Sequence, residues 1–306
     1  MQELIDRIAA EARPRAAEGK VADYIPALAR VDPGRFALVL RSADGQEWVA
    51  GEADAPFSIQ SISKLFTLAL AMEWLEPDGP DGLWSRVGRE PSGMRFNSLI
   101  QLETEAGIPR NPFINAGAIV VTDALMTHRW NLETAFRAQM RLLAGNPELH
   151  YDAEVAASER MHGDLNRAIA YVLRAYGNLR QDPQAVTDTY FRACSLAISA
   201  RDLARAAGFL VSPQGEGACA AGHHARWLRA IMRTCGLYDQ SGEFAFRVGL
   251  PGKSGVGGGI VAVQPPGMSA ALPQGFVAVA WSPPLDRFGN SVAAQAALEA
   301  LAGALE

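Results

Sequence analysis

The run Leu65-Phe66-Thr67-Leu68-Ala69-Leu70-Ala71-Met72-Glu73-Trp74-Leu75 constrains this chain more than any other stretch, because as a helix it is apolar nearly all round. A helix with so little polar face is buried, so the molecule has to be built around it. The segment leading into it, Pro56-Phe57-Ser58-Ile59-Gln60-Ser61-Ile62-Ser63-Lys64, sets Ser61 and Lys64 three residues apart. On a helix that spacing puts both side chains on one face. Ser61 then lies at the N-terminal end, among free backbone N–H groups and the positive end of the dipole. Those features suit a serine that becomes an alkoxide and carries an oxyanion nearby. The chain has three lysines, Lys20, Lys64 and Lys253, and its 28 Lys plus Arg therefore include 25 arginines. A desolvated lysine can lose its proton, whereas arginine cannot.

Around this helix the pattern predicts, in order, a helix over 3–17, then strands over 35–40 and 47–50. These strands are separated by Ser42-Ala43-Asp44-Gly45, whose Asp-Gly is a hairpin signal. Residues 59 to about 235 read as mainly helical, with helices expected over 116–129, 132–144, 158–175, 184–191, 200–207 and 225–234. Loops are expected over 76–80, 86–95, 108–112 and 146–148. Strands over 244–248, 258–263 and 275–281 and a closing helix over 290–305 follow. The expected fold is α/β, an antiparallel sheet flanked by helices. One lobe would combine residues 1–58 and 240–306, with a helical lobe, 59–239, inserted, in a single catalytic domain.

At 306 residues and 49% apolar content the chain can bury a large core. A net charge of −5 with interspersed signs argues against a nucleic-acid or anionic-membrane surface. The amphipathic start lacks an apolar signal-peptide core and no run reaches membrane-span length, so a cytoplasmic protein is expected. Cys194, Cys219 and Cys235 form no C-x-x-C pattern and read as reduced, buried thiols. The five histidines lack metal-ligand spacing, and His223-His224 reads as a loop or helix start.

The second lysine lies in Gly252-Lys253-Ser254-Gly255-Val256-Gly257-Gly258-Gly259. So glycine-rich a strand is either a bulged edge or a backbone that lies close to a ligand with an N–H aimed at it. Lys-Ser-Gly resembles the lysine-hydroxyl-glycine element of serine β-lactamases and penicillin-binding proteins. In an acyl-serine mechanism Lys64, kept neutral by burial and by the charge of Lys253, takes the proton of Ser61. Ser61 attacks an amide carbonyl, and the N–H groups of Ser61 and Val256 hold the oxyanion.

Further blocks make the resemblance specific: Phe96-Asn97-Ser98, Arg110-Asn111-Pro112-Phe113-Ile114-Asn115-Ala116-Gly117-Ala118-Ile119, Ser158-Glu159-Arg160 with Asn166-Arg167-Ala168-Ile169-Ala170, and Met232-Arg233-Thr234-Cys235-Gly236-Leu237-Tyr238-Asp239. With these the chain closely resembles the serine-dependent glutaminases, over about residues 19–291. That family has the β-lactamase-like fold and hydrolyses L-glutamine to L-glutamate and ammonia.

The resemblance implies that Ser61 is the nucleophile, Lys64 its base, Tyr238 a proton-shuttling phenol and Val256 the second oxyanion donor. It implies that Tyr24, Gln60, Asn115, Glu159, Asn166 and Tyr190 touch the substrate, with Lys253 beside them. No metal or organic cofactor is implied, and a homodimer or homotetramer is. Glu159 suits an α-ammonium group, and the donors of Asn115, Asn166 and Tyr24 suit an α-carboxylate.

Each residue also has a plainer reading. Asn115 could be a helix N-cap, Glu159 and Asn166 a solvated stripe, and Tyr238 a core tyrosine. Tyr190 has few landmarks around it. Tyr176-Gly177-Asn178 imitates a β-lactamase element but reads as structural. Two other functions fit the dyad: a β-lactamase or transpeptidase, against which stand the missing Ser-Asp-Asn element and export signal, and a non-catalytic glutamine-binding scaffold.

Overall fold

The computed structural model describes residues 1–75, 82–94, 97–129, 131–212 and 222–305. The expected loop at 76–80, Phe96 and Cys219 lie outside the described residues.

The Asp44-Gly45 turn, with Gly45 at φ 95°, joins β1 (Ala37–Ser42) to β2 (Glu47–Gly51) as an antiparallel hairpin. A small three-stranded sheet takes β3 (Phe57–Ser58), β4 (His150–Tyr151) and β5 (Leu196–Ile198) in the order β3-β5-β4. Strands β6 (Gly252–Ser254), β7 (Gly259–Gln264) and β8 (Phe276–Trp281) return to the hairpin and complete a five-stranded antiparallel sheet, β2-β1-β8-β7-β6. Strands from both ends of the chain therefore share one sheet.

The helices are α1 (Gln2–Ala12), α2 (Ser63–Trp74), α3 (Leu83–Arg86), α4 (Leu99–Thr104), α5 (Asn115–His128), α6 (Leu132–Ala144), α7 (Ala153–His162), α8 (Asp164–Ala175), α9 (Pro183–Cys194), α10 (Ala200–Ala206), α11 (Gly222–Cys235), α12 (Ser241–Arg247) and α13 (Val292–Leu305). Among the described residues no helix is long and apolar enough to cross a membrane.

Side chains alternate along a strand, and here both faces are covered. Leu38, Leu40, Ile260, Ala278 and Ala280 join α1 and α13 in one core. Val39, Val261, Val277, Val279 and Trp281 face the other way and share a core with α2. Every residue from Ser63 to Met72 of α2 is buried, as its apolar composition requires. It packs against α5 and α11.

A buried polar knot ties the helical part together. Asp123, at 0% exposure on α5, accepts from Arg86 Nη2 at 2.5 Å and from the backbone N–H groups of Arg180 and Gln181 at 3.0 and 2.7 Å. Asn178 closes it by donating to the carbonyls of Arg86 and Gly107, so the Tyr176-Gly177-Asn178 stretch is structural.

Several boundaries differ from the sequence expectation. The strand expected over 244–248 is helix α12. Phe244 and Val248, four residues apart, are buried while Phe246 between them is 88% exposed, which is the helical period and not the period of two. The helix expected over 158–175 is two helices broken at Gly163. There a Cβ would come 2.2 Å from the Phe191 ring, so only glycine lets α7 end against α9. Glu159 and Asn166 therefore sit on separate helices and not on one solvated stripe. The N-terminal helix stops at Ala12 and continues as a 3-10 turn to Glu18. Helices α3 and α4 and strands β3 to β5 were not expected.

Candidate active site

Ser61 sits in a 3-10 turn, Gln60–Ile62, that runs straight into α2, where Lys64 is the second residue. Among the described residues, two of the three non-glycine residues with positive φ are here: Gln60 at 50°, beside Ser61, and Tyr238 at 51°, with Ala106 the third. Such backbone strain persists only where surrounding contacts over-determine it.

The turn between β6 and β7 presses on the Ser61 segment. A Cβ on Gly255 would lie 2.8 Å from the Ile59 carbonyl oxygen and 3.2 Å from Ser61 N, and one on Gly257 would lie 2.2 Å from the Ser58 carbonyl oxygen. The glycines of this stretch are thus required by contact with the backbone that carries Ser61. The same contact brings Ser61 N close to Gly255, the residue before Val256.

Behind Ser61 lie both lysines, Lys64 at 1% and Lys253 at 0% exposure. Lys64 Nζ donates to the Phe113 carbonyl at 3.1 Å and to Asn115 Oδ1 at 2.7 Å. Lys253 Nζ donates to the carbonyls of Gly236 and Ser254 at 3.1 and 2.6 Å and lies 4.9 Å from the centre of the Tyr238 ring. Burial pushes Lys64 down to about 8, against the weaker pull of Cys194 and Glu159. Lys253 is driven well below its ordinary value, by burial first and then by Lys64. Burial is the chief cause for both. The repulsion expected to act on Lys64 falls on Lys253.

In front of Ser61 opens a cavity of about 370 Å³. Nine of the eleven residues singled out from sequence line it: Tyr24, Gln60, Ser61, Asn115, Glu159, Asn166, Tyr190, Tyr238 and Val256. Lys64 and Lys253 stand behind this wall. Tyr24, 55% exposed, belongs to the mouth. The hydroxyl of Tyr238 lies beside those of Ser61 and Ser254.

Asn115 is the first residue of α5. Ile114 occupies the cap position and no side chain caps the helix, so the cap reading fails. Asn115 Nδ2 instead donates to Asn166 Oδ1 at 2.8 Å. Gly117 lets the preceding loop press on the helix, since a Cβ there would be 1.9 Å from the Asn111 carbonyl oxygen. Glu159, 8% exposed, is pushed up to about 7 by burial, opposed by a hydrogen bond from Gln60 and by the charge of Lys64. Gln60 Nε2 also donates to Ser58 Oγ at 2.9 Å.

Sequence reasoning missed Ile25, Asn97, His162, Leu165 and Cys194 on the cavity wall. Asn97 stands in a block already quoted, but Cys194 carried no signal beyond being a buried thiol. Cys194 and Cys235 are free and buried, as expected. Helix α11 begins at Gly222, so His223-His224 opens a helix. Among the described residues no group of three or more His, Cys, Asp or Glu side chains could hold a metal ion.

The sheet, the buried central helix and the serine and lysine at its head define a hydrolase of the β-lactamase-like class. The sequence model of the Glutaminase family matches residues 19–306. A glutaminase of Vibrio parahaemolyticus is 49% identical over 98% of this chain and 95% of its own, and one of Streptomyces coelicolor is 49% identical over 97% and 94%. Among solved structures, a probable glutaminase of Bacillus subtilis superposes with a TM-score of 0.89 at 28% identity, covering 99% of this chain and 96% of the other. A Bacillus subtilis glutaminase in covalent complex with 5-oxo-L-norleucine, formed by reaction with 6-diazo-5-oxo-L-norleucine, gives 0.85 at 28% identity over 99% and 98%. This chain belongs to the glutaminase family.

Proposed function

We propose that this chain hydrolyses the side-chain amide of L-glutamine to L-glutamate and ammonia through an acyl-enzyme on Ser61. One observation carries the reading: a single cavity has Ser61 on its wall together with Glu159 and the amides of Asn115 and Asn166. A carboxylate and amide donors suit the α-ammonium and α-carboxylate groups of a free amino acid, leaving its side-chain amide for Ser61.

Lys64 takes the proton of Ser61 Oγ, and Oγ attacks the amide carbon. The N–H groups of Ser61 and Val256 hold the oxyanion that forms. Tyr238 relays a proton to the amide nitrogen, the C–N bond breaks, and ammonia leaves. Water then attacks the ester with the same base, releasing glutamate and restoring Ser61. The Bacillus subtilis relative's covalent complex with 5-oxo-L-norleucine supports a nucleophile in this family. The reading takes the working molecule as a two-lobed, cytoplasmic homodimer or homotetramer that needs no cofactor.

The test of substrate class is a pair of assays. Ammonia release from L-glutamine is expected at ordinary enzyme rates, with nitrocefin left essentially intact. Nitrocefin turnover at comparable rates with no ammonia from glutamine would replace this reading by a β-lactamase.

The pH profile follows from the groups. The base must be neutral and Glu159 ionised. Lys64 near 8 gains its proton as pH falls, and Glu159 near 7 does so next. We therefore expect kcat/KM to fall below about pH 8, and more steeply below 7. A flat profile from roughly pH 6 to 9 contradicts both roles.

A further inference from the structure

The bonds that the Lys64 amine donates report which way it points. A neutral amine has two N–H bonds and one lone pair. Two acceptors, the Phe113 carbonyl at 3.1 Å and Asn115 Oδ1 at 2.7 Å, take both N–H bonds and leave the lone pair for a third direction. Asn115 is itself held at both ends. Its Nδ2 donates to Asn166 Oδ1 at 2.8 Å, and the Tyr190 hydroxyl donates to Oδ1 at 3.4 Å. Turning the amide round would aim Nδ2 at the Lys64 amine, occupy the lone pair that Ser61 needs, and break the bond to Asn166.

We propose that Asn115 is a positioning residue for the base as well as a substrate contact. Its Oδ1, with the Phe113 carbonyl, orients the Lys64 amine so that the lone pair is left for Ser61, one helical turn earlier. Its Nδ2 ties that orientation to Asn166, at the part of the cavity that takes the substrate's α-groups. This rests on Lys64 being the base. Among the described residues the other titratable groups facing Lys64 are Lys253 from β6, Glu159 from α7, and Tyr190 and Cys194 from α9. Of these only Tyr190 touches position 115, through the hydroxyl it donates to Asn115 Oδ1 at 3.4 Å, and Asn115→Asp keeps an acceptor for it.

The discriminating variant is Asn115→Asp, which keeps the shape and the acceptor for Lys64, gives up the donor to Asn166 and adds a negative charge beside Lys64. That charge favours the ammonium form, so the acid limb of kcat moves up by about one pH unit or more. At pH 7 kcat falls by roughly tenfold more than it does at pH 10. Asn115→Ala removes the acceptor without adding charge. It lowers kcat itself by about 10- to 100-fold across the range and does not raise the limb. A residue that only binds substrate would raise KM with kcat intact in Asn115→Ala, and an unmoved limb in Asn115→Asp would mean that position 115 does not touch the amine. Either result, with Lys64→Ala inactive, overturns the proposal while sparing the base assignment. Wild-type turnover in Lys64→Ala overturns both.

Discussion

Replacing Ser61 with alanine is expected to lower kcat for glutamine by about ten thousandfold or more and to leave folding intact. The size follows from chemistry. Without Oγ there is no acyl-enzyme, and Lys64 has no proton to take, so the remaining groups can only bind and polarise the amide. The intact fold follows from position. Ser61 lines the cavity, and what the fold needs from this turn is its backbone, against which Gly255 and Gly257 pack. Losing one hydroxyl at a cavity wall costs within about 1 kcal/mol. Ammonia release in a coupled assay, with thermal unfolding of both proteins, reads the two halves of the result.

The largest effect on stability belongs to Asp123, far from the chemistry. Its carboxylate is fully buried and accepts from Arg86, Arg180 N and Gln181 N, so Asp123→Ala leaves the Arg86 charge uncompensated, with only Asn178 as partner among the described residues, and strands two backbone donors. Removing one partner of a buried pair costs about 3–5 kcal/mol. Asp123→Asn retains an acceptor for the backbone donors and loses only the charge, and is expected to cost roughly half as much. Denaturant midpoints at unchanged slope are the measurement. A midpoint within error of wild type for Asp123→Ala would mean that the knot contributes nothing. Because Asp123 lies on α5, two helical turns beyond Asn115, loosening the knot is also expected to raise KM.

How much of this was legible depends on how local the cause is. Helix α2 could be read because apolar residues on every side admit only burial, and the first hairpin because Asp44-Gly45 sets its own turn. The strands β3, β4 and β5 could not be read. At two or three residues each, they exist through pairing with one another, and nothing in Phe57-Ser58 or His150-Tyr151 announces it. Residues 244–248 were misread because Phe244, Phe246 and Val248 alternate in sequence, while α12 buries the first and last and leaves Phe246 in solvent.

At the site, the serine, the lysines and the glycine-rich turn were visible as residue types whose chemistry restricts their use. The family blocks supplied Glu159, Asn115, Asn166 and Tyr238, which by themselves had plainer readings. What stayed hidden was relational. Gly163 separates Glu159 from Asn166, and Cys194 joins the cavity wall. The bond from Lys64 to Asn115 crosses 51 residues.

The central claim is that Ser61 is the atom donor to the acyl-enzyme. The most direct measurement is to incubate the protein with 6-diazo-5-oxo-L-norleucine, weigh the intact protein and map the modified peptide. A single adduct on Ser61, blocked by glutamate and missing from Ser61→Ala, is the predicted result. An adduct on any other residue, or full labelling of Ser61→Ala, would contradict it.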